Sequence, residues 1–422
     1  MSQTDPLREA LEQALMENPD DVASHMAYAD YLRDQGDPRG ELIQVQLALE
    51  DPARKGAERK RLKKREEELL DAHEREWLGE LAPLLLSTPE EELELARAES
   101  TVGWIEPPEI GYSWARGWLD RVECRYLTVE MARKLGRAPI ARLLHGLVWR
   151  SDRPAEYFRY EGGPDLPEDE NYFLPYEVLA HYPAARNLRV FQFGREVDPD
   201  EWEYRSRTQF PRLSPLVQRM PRLEELHVFA RCTCPPDGGR AEMRRLVSLP
   251  TLTHLRIFEH YHGWFYPLEE LASNPALGRL THLLCYPSSQ ARLDGSGTGW
   301  AAAISRAGVR AVVRSPHLTS LTHLQLRCCD GGDEMVEDLI YSGVLKRLKM
   351  LDLRHGRVSD DGAKLLAACP EVRGMEIDLV NNRLTDKGIA ALQVAGARLE
   401  SDGQQTRPYK TSAMFRGDVD YE

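Results

Sequence analysis

The sequence predicts an α/β solenoid, with parallel strands inside and helices outside, joined to an α-helical N-terminal domain. Three observations carry this expectation. An apolar L-x-x-L-x-L pattern returns at nearly constant intervals along the chain, and after each copy the apolar period switches from two residues to that of a helix. The N-terminal stretch carries apolar residues at helical spacing instead.

The 422 residues are 42% hydrophobic and 29% charged, which fits a folded globular chain. A net charge of −13 disfavours a non-specific grip on nucleic acid, because phosphates are held by excess Lys and Arg. No apolar run is long enough for a membrane-spanning helix. Met1–Pro6 lacks the basic and apolar regions of a secretory signal. The seven cysteines are odd in number and scattered, so a reducing compartment is expected, and the address is read as cytoplasmic.

The first element is an amphipathic helix from Asp5 to Glu17, with Leu7, Leu11, Ala14 and Leu15 on one face. Asn18-Pro19-Asp20-Asp21 breaks it and caps a second, Val22 to Arg33, expected to bury Met26, Ala29 and Leu32 before Gly36 stops it. Pro38 starts a third, with Leu42, Ile43, Val45, Gln46 and Leu49 along it. The charged segment from Arg54 to Leu70 contains the run Lys60–Arg65 followed by Glu66–Glu68. It reads as a solvated helix with i, i+4 ion pairs rather than a nucleic-acid patch.

The stretch from Tyr28 through Asp30, Gly36, Asp37, Pro38, Arg39 and Gly40 to Ile43 resembles the bacterial repeat-companion domain, a short helical module found ahead of leucine-rich repeats. The resemblance covers about the first fifty residues, and Trp114–Leu119 resembles the segment that joins this module to the first repeat. The family implies packing and capping roles for these residues and brings no catalytic assignment.

The repeat core recurs at Leu223/Leu226/Val228, Leu252/Leu255/Ile257, Leu280/Leu283/Cys285, Leu321/Leu324/Leu326 and Leu348/Leu351/Leu353. Degenerate copies stand at Leu144/Leu147/Trp149 and Leu188/Phe191/Phe193, and a last one at Ile377/Leu379. Middle positions follow one another at 26 to 29 residues in the regular part, and steps of 44, 35 and 41 residues mark insertions. The long period resembles that of the ribonuclease-inhibitor-like class of leucine-rich repeat, whose strands line the inside of a horseshoe. No such repeat buries its apolar strand face alone, so neighbours stack into one continuous core. The expected organisation is a helical companion domain over 1–86, a junction and first capping repeat over 87–139, and the solenoid over 140–398. Insertions are expected near 151–176 and 286–300, and a polar tail over 399–422.

Counting the leading leucine as position 1, Cys285 falls at position 6, and Cys329 and Asn382 at position 9, where this class places Asn or Cys. Cys232-Thr233-Cys234 has neither the spacing nor the second pair of a structural zinc site. Gly295–Gly299 lacks the lysine of a phosphate-binding loop. Three Thr-His-Leu copies put His254, His282 and His323 at position 3 of successive repeats, where they should form a column. A column lacks the convergent geometry of a metal site. No catalytic motif is present, so neither enzyme activity nor a cofactor or metal is expected.

What remains is the face of the strands. Its expected binding residues are His227, Phe229, His254, Arg256, Phe258, His282, Tyr286, His323, Gln325, Arg327, Arg354 and His355, with Glu225, Glu259, Leu284 and Asp352 among them. Aromatics and Arg are common interface anchors. The expected function is a non-catalytic scaffold that binds a partner protein, with no nucleic acid and no membrane involved. The alternatives are a regulatory or inhibitory subunit of a partner enzyme and, less well supported, a cysteine-dependent ligase-like enzyme. Cys124, the only cysteine ahead of the central repeats, has no catalytic motif beside it.

Overall fold

The computed structural model describes residues 5–86, 110–124, 129–150, 178–194, 213–230, 238–263, 266–287, 304–329 and 331–404. The expected insertion near 151–176, all but the first two residues of that near 286–300, the Cys232-Thr233-Cys234 run and most of the tail lie outside the described residues. The chain forms two compact units, Met1–Phe229 and Ala230–Glu422.

The first unit opens with helices α1 (Pro6–Glu17), α2 (Val22–Asp34), α3 (Arg39–Glu50) and α4 (Gly56–Leu78). The Asp5 and Asp21 side chains cap the first two by accepting backbone N–H groups of the first turn. Tyr28, Ala29 and Leu32 are buried as the α2 face requires. Met26, expected beside them, is instead 38% exposed, and Tyr28 fills the inward position. Leu42, Val45 and Leu69 form a core between α3 and α4, with Trp77 and Trp114 packed on it. The charged helix α4 buries only Leu69 and Leu78; Arg65 and Lys64 pair locally with Glu68, and Arg65 also makes a bidentate pair with Glu41 on α3.

A short helix α5 (Ala82–Leu85) precedes an antiparallel hairpin of β1 (Ile110–Ala115) and β2 (Trp118–Cys124). Its turn, Arg116-Gly117, docks on the helices. The Gly117 N–H donates to Gln46 Oε1 at 2.6 Å, and Arg116 makes a bidentate pair with Glu50. Trp118 stacks on Tyr28 at 5.6 Å, with the Arg39 guanidinium over the Trp118 ring at 4.9 Å. The two segments that resemble the companion domain and its junction are therefore the two halves of one interface. Then follow α6 (Val129–Arg137), β3 (Gly146–Trp149), β4 (Val190–Phe193), α7 (Ser214–Val217) and β5 (Glu225–Phe229). Strands β2 to β5 run parallel, with Val122, Leu147, Phe191 and Leu226 in one buried row.

The second unit alternates helix and strand. It contains α8 (Gly238–Val247), β6 (Ile257–Gly263), α9 (Leu268–Ser273), β7 (His282–Pro287), α10 (Arg306–Val313) and β8 (His323–Leu326). It continues with α11 (Gly332–Ser342), β9 (Met350–Asp352), α12 (Asp360–Ala367), β10 (Glu376–Asp378), α13 (Asp386–Ala395) and β11 (Arg398–Glu400). Neighbouring strands are parallel and lie in chain order, and the helices of successive repeats pack on one another. This is the α/β leucine-rich-repeat architecture with helices ahead of it. The last repeat ends in a strand, since Leu399 lies beside Ile377 just past the boundary expected at residue 398.

The core row of this unit is Phe258, Leu283, Leu324, Leu351, Ile377 and Leu399. Phe258, not Leu255, stands beside Leu283, so the first repeat is displaced by three residues from the expected register. Leu252, Leu255 and Phe258 are three residues apart and all buried, and the pattern alone does not choose between them. Position 6 of that repeat is then His260, fully buried next to Tyr266.

Consecutive helices are also locked through their caps. The Asp333 carboxylate accepts the Ser359 N–H at 2.8 Å and its hydroxyl, and Asp360 accepts the N–H and hydroxyl of Thr385 at 2.8 and 2.6 Å. Ser359 and Thr385 in turn cap their own helices, α12 and α13. Gly362 and Gly388 leave room for this, since a Cβ there would lie 2.3 Å from Asp333 Oδ1 and 2.5 Å from Asp360 Oδ1. Asn382, fully buried at position 9 after β10, ties its own turn to the turn after β9, donating to the Leu353 carbonyl at 2.9 Å and accepting from the Val358 N–H.

Candidate functional site

Side chains at even core positions point toward the helices, while those at positions 3, 5 and 7 leave the strands on the other face. On the first unit this face carries His227, half-buried, in parallel contact with the Phe229 ring at 6.4 Å. Phe229 was expected on the exposed wall, but it is only 2% exposed and belongs to the packing around β5.

On the second unit, position 3 brings Ile257, His282, His323 and Met350 side by side. His282 and His323 stack at 3.9 Å with their planes 9° apart. Each ring is oriented by the preceding threonine, Thr281 Oγ1 lying 2.8 Å from His282 Nδ1 and Thr322 Oγ1 lying 2.9 Å from His323 Nδ1. Burial and the charge of Lys349 push His323 below the ordinary histidine value, so it is neutral near pH 7. His254 makes the same Thr-His contact with Thr253 but precedes its strand, exposed, and stands outside the column. This corrects the expected column of three, and the displaced register is the reason. Arg256 moves with it to the exposed stretch before β6. Phe258, also expected on the open face, is 4% exposed in the core row.

Positions 5, 7 and 8 form a connected network. Gln325 Nε2 donates to Tyr261 Oη at 3.1 Å, and Tyr261 meets Tyr286 edge-on at 5.6 Å. The Tyr286 ring lies parallel to His355 at 6.0 Å, with the Arg327 guanidinium 5.0 Å from its centroid. Arg327 donates to Asp352 at 2.7 Å, and Arg354 donates from Nε to Asp378 at 3.0 Å. His355 Nδ1 contacts Asn381 Nδ2 at 3.2 Å. Both arginines thus face a carboxylate of the next strand. Burial pushes the Asp352 carboxyl above the usual range even though Arg327 opposes it. Position 8 holds Cys328, His355 and Asn381 with φ of 58°, 59° and 55°, the same left-handed turn in three consecutive repeats.

Of the twelve expected site residues, the structure brings His282, Tyr286, His323, Gln325, Arg327, Arg354 and His355 onto one face of one unit, but Gln325 and Tyr286, expected to be exposed there, are buried by the network they join. Sequence reasoning missed Tyr261, Asp378 and Asn381, which complete the network. The three-residue displacement hid Tyr261, whereas Asp378 and Asn381 were legible as positions 5 and 8 of the last full repeat.

Among the described residues, no group of three or more His, Cys, Asp or Glu is placed to hold a metal ion. No disulfide joins the five described cysteines, Cys124, Cys285, Cys328, Cys329 and Cys369. Burial pushes the Cys124 thiol up to about 12, which suppresses the thiolate a nucleophile requires. No described helix is long and apolar enough to cross a membrane.

A leucine-rich-repeat family model matches residues 347–367, which span β9 and α12. Among solved structures, a protein of Bacteroides fragilis is similar at 16% identity and a TM-score of 0.39, over 64% of this chain and 69% of that one. No curated protein matches the chain.

Proposed function

We propose that this leucine-rich-repeat protein is a non-catalytic interaction module that holds a partner protein against the open strand face of its second unit. The observation that supports this most directly is the stacked pair His282 and His323, half-buried beside Met350 at the edge of the Tyr286–Arg327–His355 network. Strand pairing and the preceding threonines fix these rings in place, so little side-chain freedom is lost when a partner covers them. Arg327 and Arg354 are neutralised by Asp352 and Asp378, so the face suits a partner of mixed polar and apolar surface rather than a strongly acidic one. Repeat proteins commonly bind through such extended faces.

The test is cross-linking in the native host cell with photoreactive residues at position 282, 323 or 364. A protein captured from the first two positions and absent from the third is expected, and His282→Ala with His323→Ala should then weaken its binding about thirtyfold. Capture from Lys364, on α12, with no loss in the histidine variants would move the interface to the helices and end this reading.

A further inference from the structure

The core row of the second unit is open at its last described strand. Leu324 and Leu351 are fully buried and Ile377 is 1% exposed, but Leu399 on β11 is only half-buried. The helix layer shows the same. Ala363 and Ile389 each stand four residues after their helix caps, Ser359 and Thr385. Ala363 is fully buried where α13 packs on α12, whereas Ile389, on the last described helix, is half-buried. Among the described residues no strand lies beyond β11 either. The Arg398 N–H donates to the Met375 carbonyl at 2.9 Å, and the Glu400 carbonyl accepts the Leu379 N–H at 2.8 Å. Backbone groups alternate sides along a strand, so the N–H and C=O of Leu399 point away from β10. Such an edge is a template for another strand.

The charges on this edge specify what fits it. Arg398, Leu399 and Glu400 form a self-complementary triplet. With a second β11 laid antiparallel and Leu399 opposite Leu399, the two leucines exchange both N–H···O bonds. Arg398 of each copy then falls opposite Glu400 of the other, in the closer kind of antiparallel pair. Opposite charges so placed stabilise paired strands, whereas a parallel pairing in the same register would set Arg398 against Arg398. Both side chains are exposed. Arg398 meets Glu376 of its own chain at 3.2 Å, and Glu400 has no ion pair among the described residues. Over residues 386–404, Lys387 and Arg398 stand against Asp386, Glu400 and Asp402, so this end of the stack is close to neutral in a chain of net charge −13. Two copies meet there without the repulsion that the whole chain would suggest.

We infer that the outer edge of β11 is an interface between two copies of this chain, paired antiparallel about a two-fold axis at Leu399, with Arg398 of each copy facing Glu400 of the other. The contact is isologous, one patch meeting itself. A continuous antiparallel sheet keeps the helices of both copies on one side, so the same approach brings the two α13 flanks together and covers Ile389. Leu399 beside Leu399 closes the core row. This interface is independent of the open strand face and stands or falls separately from it.

The test is sedimentation of the whole purified chain over a range of concentrations at low salt, where a reversible monomer–dimer equilibrium is expected. Arg398→Glu alone and Glu400→Arg alone each set like charges opposite one another twice per dimer, and each should weaken the dimer about tenfold. The two changes combined in one chain restore opposite charges and should recover it. Oxidising a mixture of Arg398→Cys chains with Glu400→Cys chains should give a mixed disulfide that neither variant gives alone, because only opposed strand positions come close enough. A chain that stays monomeric throughout would overturn the interface. So would a dimer indifferent to both reversals, or one that yields no mixed disulfide. Failure of the combined variant to recover, with its thermal transition unchanged, would do the same. Stronger association after Arg398→Gln with Glu400→Gln would show that the charges guard the edge against pairing, and would also overturn it.

Discussion

Gly117 shows how much of the first unit depends on single atoms. It has a φ of +73° in the β1–β2 turn, and a Cβ there would lie 2.4 Å from the Ile43 side chain. Gly117→Ala should cost about 1–3 kcal/mol in a urea melt, from left-handed strain and the push against Ile43. Nearby, Glu12 is buried among Arg8, Tyr28 and Arg142. Burial pushes its carboxyl up, but the bonds from Arg8 and Tyr28 and the charge of Arg142 outweigh this and hold it below the usual carboxylate range. A depressed carboxyl stabilises the fold above its unfolded value, and that contribution disappears as the pH falls through the folded one. Acid melts should therefore show a loss of stability below about pH 4.5 that Glu12→Gln reduces, and an unchanged acid limb in that variant would count against it. At this scale the breaks between helices were readable, with Asp21 capping α2 and Gly36 following its end at a φ of 75°. The approach of Tyr28 to Trp118 was not, because ninety residues separate them in the chain.

At the scale of the element, the displaced first repeat of the second unit is the sharpest case. The observed register puts Phe258 in the core row and Ile257, half-buried, on the open face. Phe258→Ala should cost about 3–5 kcal/mol, as for other buried aromatics, and Ile257→Ala much less. The reverse order in chemical denaturation would restore the register read from L-x-x-L-x-L. Strand and helix order was legible because the two periods alternate cleanly. The choice among Leu252, Leu255 and Phe258 was not, since a shift of three residues still puts apolar side chains at positions 1 and 4 and changes only position 6, from Ile257 to His260. That shift carried Phe258 into the core, and strand packing removed Phe229 from the wall. The neutralised state of Arg327 and Arg354 was hidden for another reason: their partners stand on the next strand, and only the stacked register shows that Asp352 and Asp378 face them.

At the scale of the whole molecule, composition predicts behaviour only on average. The net charge of −13 describes the chain, yet three arginines converge on one carboxylate of its helix face. The second unit presents a strand face that is aromatic and whose arginines are charge-neutralised. Within it, each repeat contacts mainly its neighbours, so a weakened repeat lowers the stability of those beside it. Leu324→Ala, in the middle of the core row, should cost about 2–5 kcal/mol and loosen β7 and β9 as well as β8 in amide exchange. Protection lost in β8 alone would show the repeats to be independent.

The interlocked caps carry a consequence for how the length of such a chain can vary. Asp333 holds the Ser359 of the next helix, Asp360 holds Thr385, and Ser359 sits directly beside the Asp360 that serves the following repeat. Removing the residues from Glu334 to Asp360 would leave Asp333 facing Thr385, an equivalent acceptor meeting an equivalent donor. A deletion of any other length leaves a carboxylate opposite the wrong side chain and a helix start unserved. Gains and losses in this part of the chain are therefore quantised in whole repeats, and shortened variants that keep the phase should fold while those that break it should not.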